Sequence, residues 1–77
     1  MKLKIEFVLK ETGECEIFET TLDKNVKVHD FVYFKNELNG SEYTYVLGSF
    51  KIWRPKHNVI CAEEVELLNL KIEYDFA

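Results

Sequence analysis

Lys2-Leu3-Lys4-Ile5-Glu6-Phe7-Val8-Leu9-Lys10 decides the fold class. Leu3, Ile5, Phe7 and Leu9 take alternate positions, and Lys2, Lys4, Glu6, Val8 and Lys10 fill the places between them. A period of two belongs to a strand with one buried and one wet face, whereas a helix would space its apolar residues three and four apart. Working outward, Glu11-Thr12-Gly13-Glu14 supplies a turn, and Cys15, Ile17 and Leu22 continue an apolar pattern on a returning strand, so a hairpin is predicted. Between Ile17 and Leu22 the alternation slips by one residue (Ile17, Phe18, Thr20, Leu22), which predicts a β-bulge. Cys15 and Cys61 fall at positions read as inward-facing, where a free thiol acts as a small hydrophobe, so two reduced core cysteines are expected.

The remainder continues in β-prone runs. After the turn triplet Asp23-Lys24-Asn25, residues 26–34 read as a lead-in and third strand that is apolar on both faces, which places the centre of the sheet here. Asn39-Gly40 marks a tight hairpin turn, and residues 43–53 form a long β-prone run in which Gly48 predicts a sharp bend. Arg54-Pro55-Lys56-His57-Asn58 reads as a turn and residues 59–62 as a short strand. Glu63 to Leu68 contains good helix formers, read as one short helical turn near 63–67 leading into a strand. Leu68, Leu70, Ile72, Tyr74 and Phe76 then alternate to the end, a last strand expected to close against the first.

Seventy-seven residues leave no room for a second domain of usual size, so residues 1–77 are expected to form one domain. Apolar residues make up 47% of the chain and aromatics 14%, enough large rings to build a core. A core this small supplies only about 3–5 kcal/mol without a staple, which makes oligomerisation a live option. Ten Lys and Arg against fourteen Asp and Glu give a formal charge of −4, a balance that disfavours nucleic-acid binding because phosphate contacts require dense positive charge. There is no apolar stretch of membrane-spanning length and no signal-peptide core, so a cytoplasmic protein without membrane attachment is expected.

Val26-Lys27-Val28-His29-Asp30-Phe31-Val32-Tyr33-Phe34, followed by Tyr43-Thr44-Tyr45-Val46 and Phe50-Lys51-Ile52-Trp53, resembles the lead-in strand and central hairpin of small SH3-like barrels. The layout is also similar to short phage and prophage proteins of unknown function. The resemblance covers about half the chain and implies an all-β fold, a small five- to six-stranded antiparallel SH3-like barrel. His29 stands where such barrels usually carry glycine, and the acidic loop and aromatic pair that bind proline-rich peptides are missing, so that activity does not carry over.

Positive charge gathers beside an aromatic plane only at Lys51, Trp53, Arg54, Lys56 and His57, a combination suited to an acidic protein partner, a phosphate or a nucleotide base. Tyr43 and Tyr45, with Tyr33 and Trp53, could add an aromatic strip across the central hairpin. The binding candidates are therefore Tyr43, Tyr45, Lys51, Trp53, Arg54, Lys56 and His57, each weighed against packing in the core or solvation of a hairpin tip. His29 and Asp30 are neighbours in a strand-like run, point to opposite faces and do not make an acid–base pair; Asp30 is better suited to bonding turn amides. His29, His57, Cys15 and Cys61 lack the close spacing of a zinc site, so no metal or other cofactor is expected. No nucleophile and base stand out, and the expected function is non-catalytic: protein–protein contact or self-association. The alternative is a phage-encoded inhibitor of a host defence system, acting by protein blocking or by sequestering a nucleotide signal.

Overall fold

Alternation over residues 2–9 produces a strand with Leu3, Ile5, Phe7 and Leu9 buried and Lys2 and Lys4 open. The structure, a computed structural model, describes residues 1–55 and 62–75. Every regular element in them is a strand: β1 (Lys2–Leu9), β2 (Cys15–Thr21), β3 (Phe31–Lys35), β4 (Glu42–Val46), β5 (Ile52–Pro55), β6 (Ala62–Val65) and β7 (Leu67–Asp75). They form two antiparallel sheets, a three-stranded one in the order β2-β1-β7 and a four-stranded meander β3-β4-β5-β6. The chain divides accordingly into two compact units, Met1–Val26 with Glu66–Ala77, and Lys27–Val65.

In the first unit β1 is central, pairing β2 from Lys2↔Thr21 to Val8↔Cys15 and β7 from Lys2↔Asp75 onward. Cross-strand partners share a face, so Leu3, Ile5 and Phe7 lie beside Thr20, Phe18 and Glu16 on one side and Tyr74, Ile72 and Leu70 on the other. Phe7 and Phe18 stack with ring centroids 6.0 Å apart. Complete burial of Leu3, Ile5 and Phe7 stabilises the fold by about 1.5–3 kcal/mol each.

Several expectations about this sheet are corrected. The β1–β2 register runs without a break, so the bulge expected between Ile17 and Leu22 is not there; the irregularity falls between Val8 and Leu9, against β7. The phase of β2 is set by Phe18 and Leu22, which are buried, and an unbroken strand in that phase turns Cys15 and Ile17 outward and Glu16 inward. Cys15 is a free, exposed thiol and not a core residue; Cys61 lies outside the described residues. The last strand does pair with the first, and the pairing makes β1 the middle of an open sheet rather than the seam of a barrel.

The second unit explains why no SH3-like barrel closes. A barrel of that kind needs a long strand to bend and carry on from one sheet into another, and Gly48 in the run 43–53 predicts a sharp bend. Instead the chain reverses at Gly48: Ser49 N donates to the Val46 carbonyl at 3.0 Å, Gly48 sits at φ 91°, and β4 and β5 lie antiparallel in the same sheet. The outcome is an all-β fold of two open sheets. β3, expected at the centre, is an edge strand. The helical turn expected near 63–67 is replaced by β6, in which Val65 is buried opposite Ile52. Of the strand expected at 59–62, only Ala62 is described.

The β1–β2 and β3–β4 loops follow one scheme. Leu9 N donates to the Glu14 carbonyl while Gly13 N donates to that of Leu9, and Asn36 N donates to Ser41 while Gly40 N donates to Asn36. In the second loop the Asn36 and Asn39 side chains also accept from Leu38 N and Ser41 N, each at 2.9 Å.

Candidate functional site

Register assigns each residue of the four-stranded sheet to a face. Val32↔Tyr45↔Ile52↔Val65 is one row and Phe34↔Tyr43 another; Phe34, Tyr43, Tyr45, Ile52 and Val65 are all buried. Tyr33↔Thr44↔Trp53↔Glu64 and Phe31↔Val46 are the rows of the opposite, open face. There Phe31 is 77% and Tyr33 57% exposed, while Val46, Thr44 and Trp53 are half-buried. Lys35, Glu42, Lys51 and Glu64 ring this apolar strip with charge, and Lys51 Nζ reaches Glu64 Oε1 at 3.2 Å.

The residues singled out from sequence do not gather on this surface. Tyr43 and Tyr45 are core side chains, 1% and 0% exposed, and the Tyr45 hydroxyl donates to the Ser49 carbonyl at 3.0 Å. Arg54 follows Trp53 in β5 and so turns to the other face, where its guanidinium carbon lies 5.7 Å from the centre of the Tyr43 ring. Trp53 and Lys51 remain on the open side, and the Lys51 charge is shared with Glu64. Lys56 and His57 lie outside the described residues.

Phe31 is the residue that sequence reading missed. Phe31-Val32-Tyr33-Phe34 is apolar in both phases, so periodicity alone does not say which pair faces out. Hydrogen bonding with Glu42, helped by partial desolvation and by the charges of Glu42 and Glu37, raises the Tyr33 phenol above the usual tyrosine pKa.

His29 and Asp30 belong to a turn. Asp30 N donates to the Lys27 carbonyl at 3.1 Å and Asp30 Oδ2 accepts from Lys27 N at 2.9 Å, while His29 is exposed at φ 81°. On the three-stranded sheet, Lys2, Lys4, Glu19, Glu73, Tyr74 and Asp75 line a shallow depression of about 430 Å³ whose charges are mixed. Among the described residues no group of three His, Cys, Asp or Glu could hold a metal ion, and no helix is long and apolar enough to cross a membrane.

The phage-inhibitor alternative draws on small size, acidity and the barrel resemblance, and the open topology withdraws the last of these three. Compared with known proteins, the chain matches no family model, no curated sequence and no solved structure.

Proposed function

We propose that the chain is a non-catalytic binding module that acts by protein–protein contact, self-association included, through the open face of the β3–β6 sheet. The observation that carries this reading is Phe31, 77% exposed in a strand beside 57% exposed Tyr33, with Val46 and Trp53 continuing the strip. Isolated exposed apolar residues are ordinary, but a contiguous aromatic strip rimmed by charge is the usual composition of a contact surface. Aromatic anchors of this kind carry most of the energy where such surfaces bind.

The test compares wild type with Phe31→Ser and Trp53→Ser, using molar mass across a concentration series and affinity for any partner that wild type binds. Leu38→Ser, at a 98% exposed hairpin position, is the control. Each face variant should weaken association about tenfold or more, at about 1.4 kcal/mol per decade, with an unchanged circular dichroism spectrum. Folded face variants that associate as wild type does, with itself and with partners, refute the reading.

A further inference from the structure

The same strand that presents Phe31 and Tyr33 also presents an unpaired backbone edge. Leu47 N donates to the Asp30 carbonyl at 2.9 Å and Asn36 N to that of Ser41 at 2.8 Å, which fixes residues 30, 32, 34 and 36 as those whose backbone groups face β4. The N–H and C=O groups of Phe31, Tyr33 and Lys35 therefore point away from the sheet, along an edge where β3 has no neighbouring strand among the described residues. Edge strands are ordinarily protected by charge or proline. The edge strand β2 carries Glu16 and Glu19 within its seven residues, whereas β3 carries four apolar residues and only Lys35 at its end.

We propose that β3 pairs antiparallel with β3 of a second copy of this chain, about a two-fold axis at Tyr33, joining the two four-stranded sheets into one. The proposal rests on the contact-surface reading above and specifies its partner. This register sets Tyr33 against its own copy and Phe31 against Lys35 of the second chain, so the three outward-pointing residues of each strand exchange about six hydrogen bonds. On the open face it creates the row Trp53, Thr44, Tyr33 and then the same three residues of the copy in reverse. Each Lys35 lies between Glu42, its cross-strand partner in its own chain, and the other chain's Phe31 ring, a cation–π neighbour, so no like charges are opposed. Other registers are poorer. A slip of one residue sets open-face side chains against buried-face ones, and a slip that centres the axis on Lys35 opposes two lysines.

Phe31 and Tyr33 offer on the order of 200–300 Å² of ring surface per copy, against about 800 Å² per partner in a standard stable interface. The dimer is accordingly weak and forms with rising concentration.

The test is sedimentation equilibrium up to about 1 mM on wild type, on full-length chain carrying an N-methyl group on the Tyr33 amide, and on Trp53→Ser. The methyl group blocks an amide that points off the edge and leaves the bonds to β4 intact. Wild type should dimerise, and N-methylation should raise the dissociation constant at least tenfold with unchanged circular dichroism and melting. A wild type that stays monomeric overturns the proposal. Unchanged dimerisation after N-methylation also overturns it, and loss of that dimer in Trp53→Ser would leave the contact-surface reading standing. Should the methylated chain not fold, amide exchange on wild type decides: Phe31, Tyr33 and Lys35 gain protection with concentration if β3 pairs, and unchanged exchange refutes the pairing.

Discussion

Replacing Gly48 by alanine tests the turn that makes two strands of one sheet out of the run 43–53. Gly48 has φ 91°, where an L side chain crowds the backbone at a cost of roughly 1–2 kcal/mol. A Cβ built there would stand 3.0 Å from Val28 Cγ1, closer than van der Waals contact allows. Val28 is 62% exposed and can give way by rotating, so the clash adds only a few tenths of a kcal/mol and the backbone dominates. The expected loss is about 1.5–2 kcal/mol, a fall in melting temperature of about 6–16 °C for a chain of this size. Urea unfolding followed by Trp53 fluorescence and by circular dichroism measures it, and Gly48→Ala with Val28→Ala separates the two causes. The double variant should recover only the small steric part. A single variant within about 0.3 kcal/mol of wild type would refute the reasoning, because the turn would then tolerate a side chain that its φ should penalise.

Two further predictions use neighbouring features. His29 holds φ 81° while exposed, with its N–H donating to the Leu47 carbonyl, so His29→Gly should keep that bond, relieve the backbone and raise stability by about 0.5–1 kcal/mol; a loss of stability in chemical denaturation would count against it. Tyr33 should titrate above the ordinary phenol range, and Glu42→Ala should lower that titration in an ultraviolet difference against wild type, since hydrogen bonding to Glu42 is the largest cause of the shift. A folded pKa raised above the unfolded one favours the folded state while the phenol is protonated. That contribution is complete below the unfolded pKa and is lost as pH rises through the folded pKa, so wild type should lose stability relative to Glu42→Ala at strongly alkaline pH.

Much of the first sheet can be read in the sequence because one phase of its central strand is unmistakable. Leu3, Ile5, Phe7 and Leu9 alternate with charge, and that pattern admits one buried face. In β2 the local pattern is ambiguous: Cys15 and Ile17 argue for one phase, Phe18 and Leu22 for the other. A bulge would reconcile them, but continuous pairing with β1 keeps every ladder bond and buries the larger Phe18 ring, at the expense of bringing Glu16 inside. Closure into a barrel was not legible for a different reason. Gly48 announces a change of direction, and a glycine reads the same whether the chain bends onward into another sheet or turns back into its own.

The open face of the four-stranded sheet was more legible than the choice of candidates suggests. Glu42-Tyr43-Thr44-Tyr45 alternates polar and aromatic, the signature of a half-buried strand with both tyrosines inside. A hairpin loop closing at Asn36 and Ser41 pairs residue 34 with 43 and residue 32 with 45, which buries Phe34 and the Val32 side of β3 and leaves Phe31 and Tyr33 outside. Pairing Thr44 with Trp53 then puts the indole on the same open side. Neighbours in a strand point to opposite faces, which separates Trp53 from Arg54 in β5, so no single face of this sheet could hold Trp53, Arg54, Tyr43 and Tyr45 together. Charge and aromaticity close in sequence suggested one site, whereas the pleat splits those residues between a core and an open face. The surface that remains is built by register, from Phe31, Tyr33, Val46 and Trp53 on three strands, and only pairing brings them side by side.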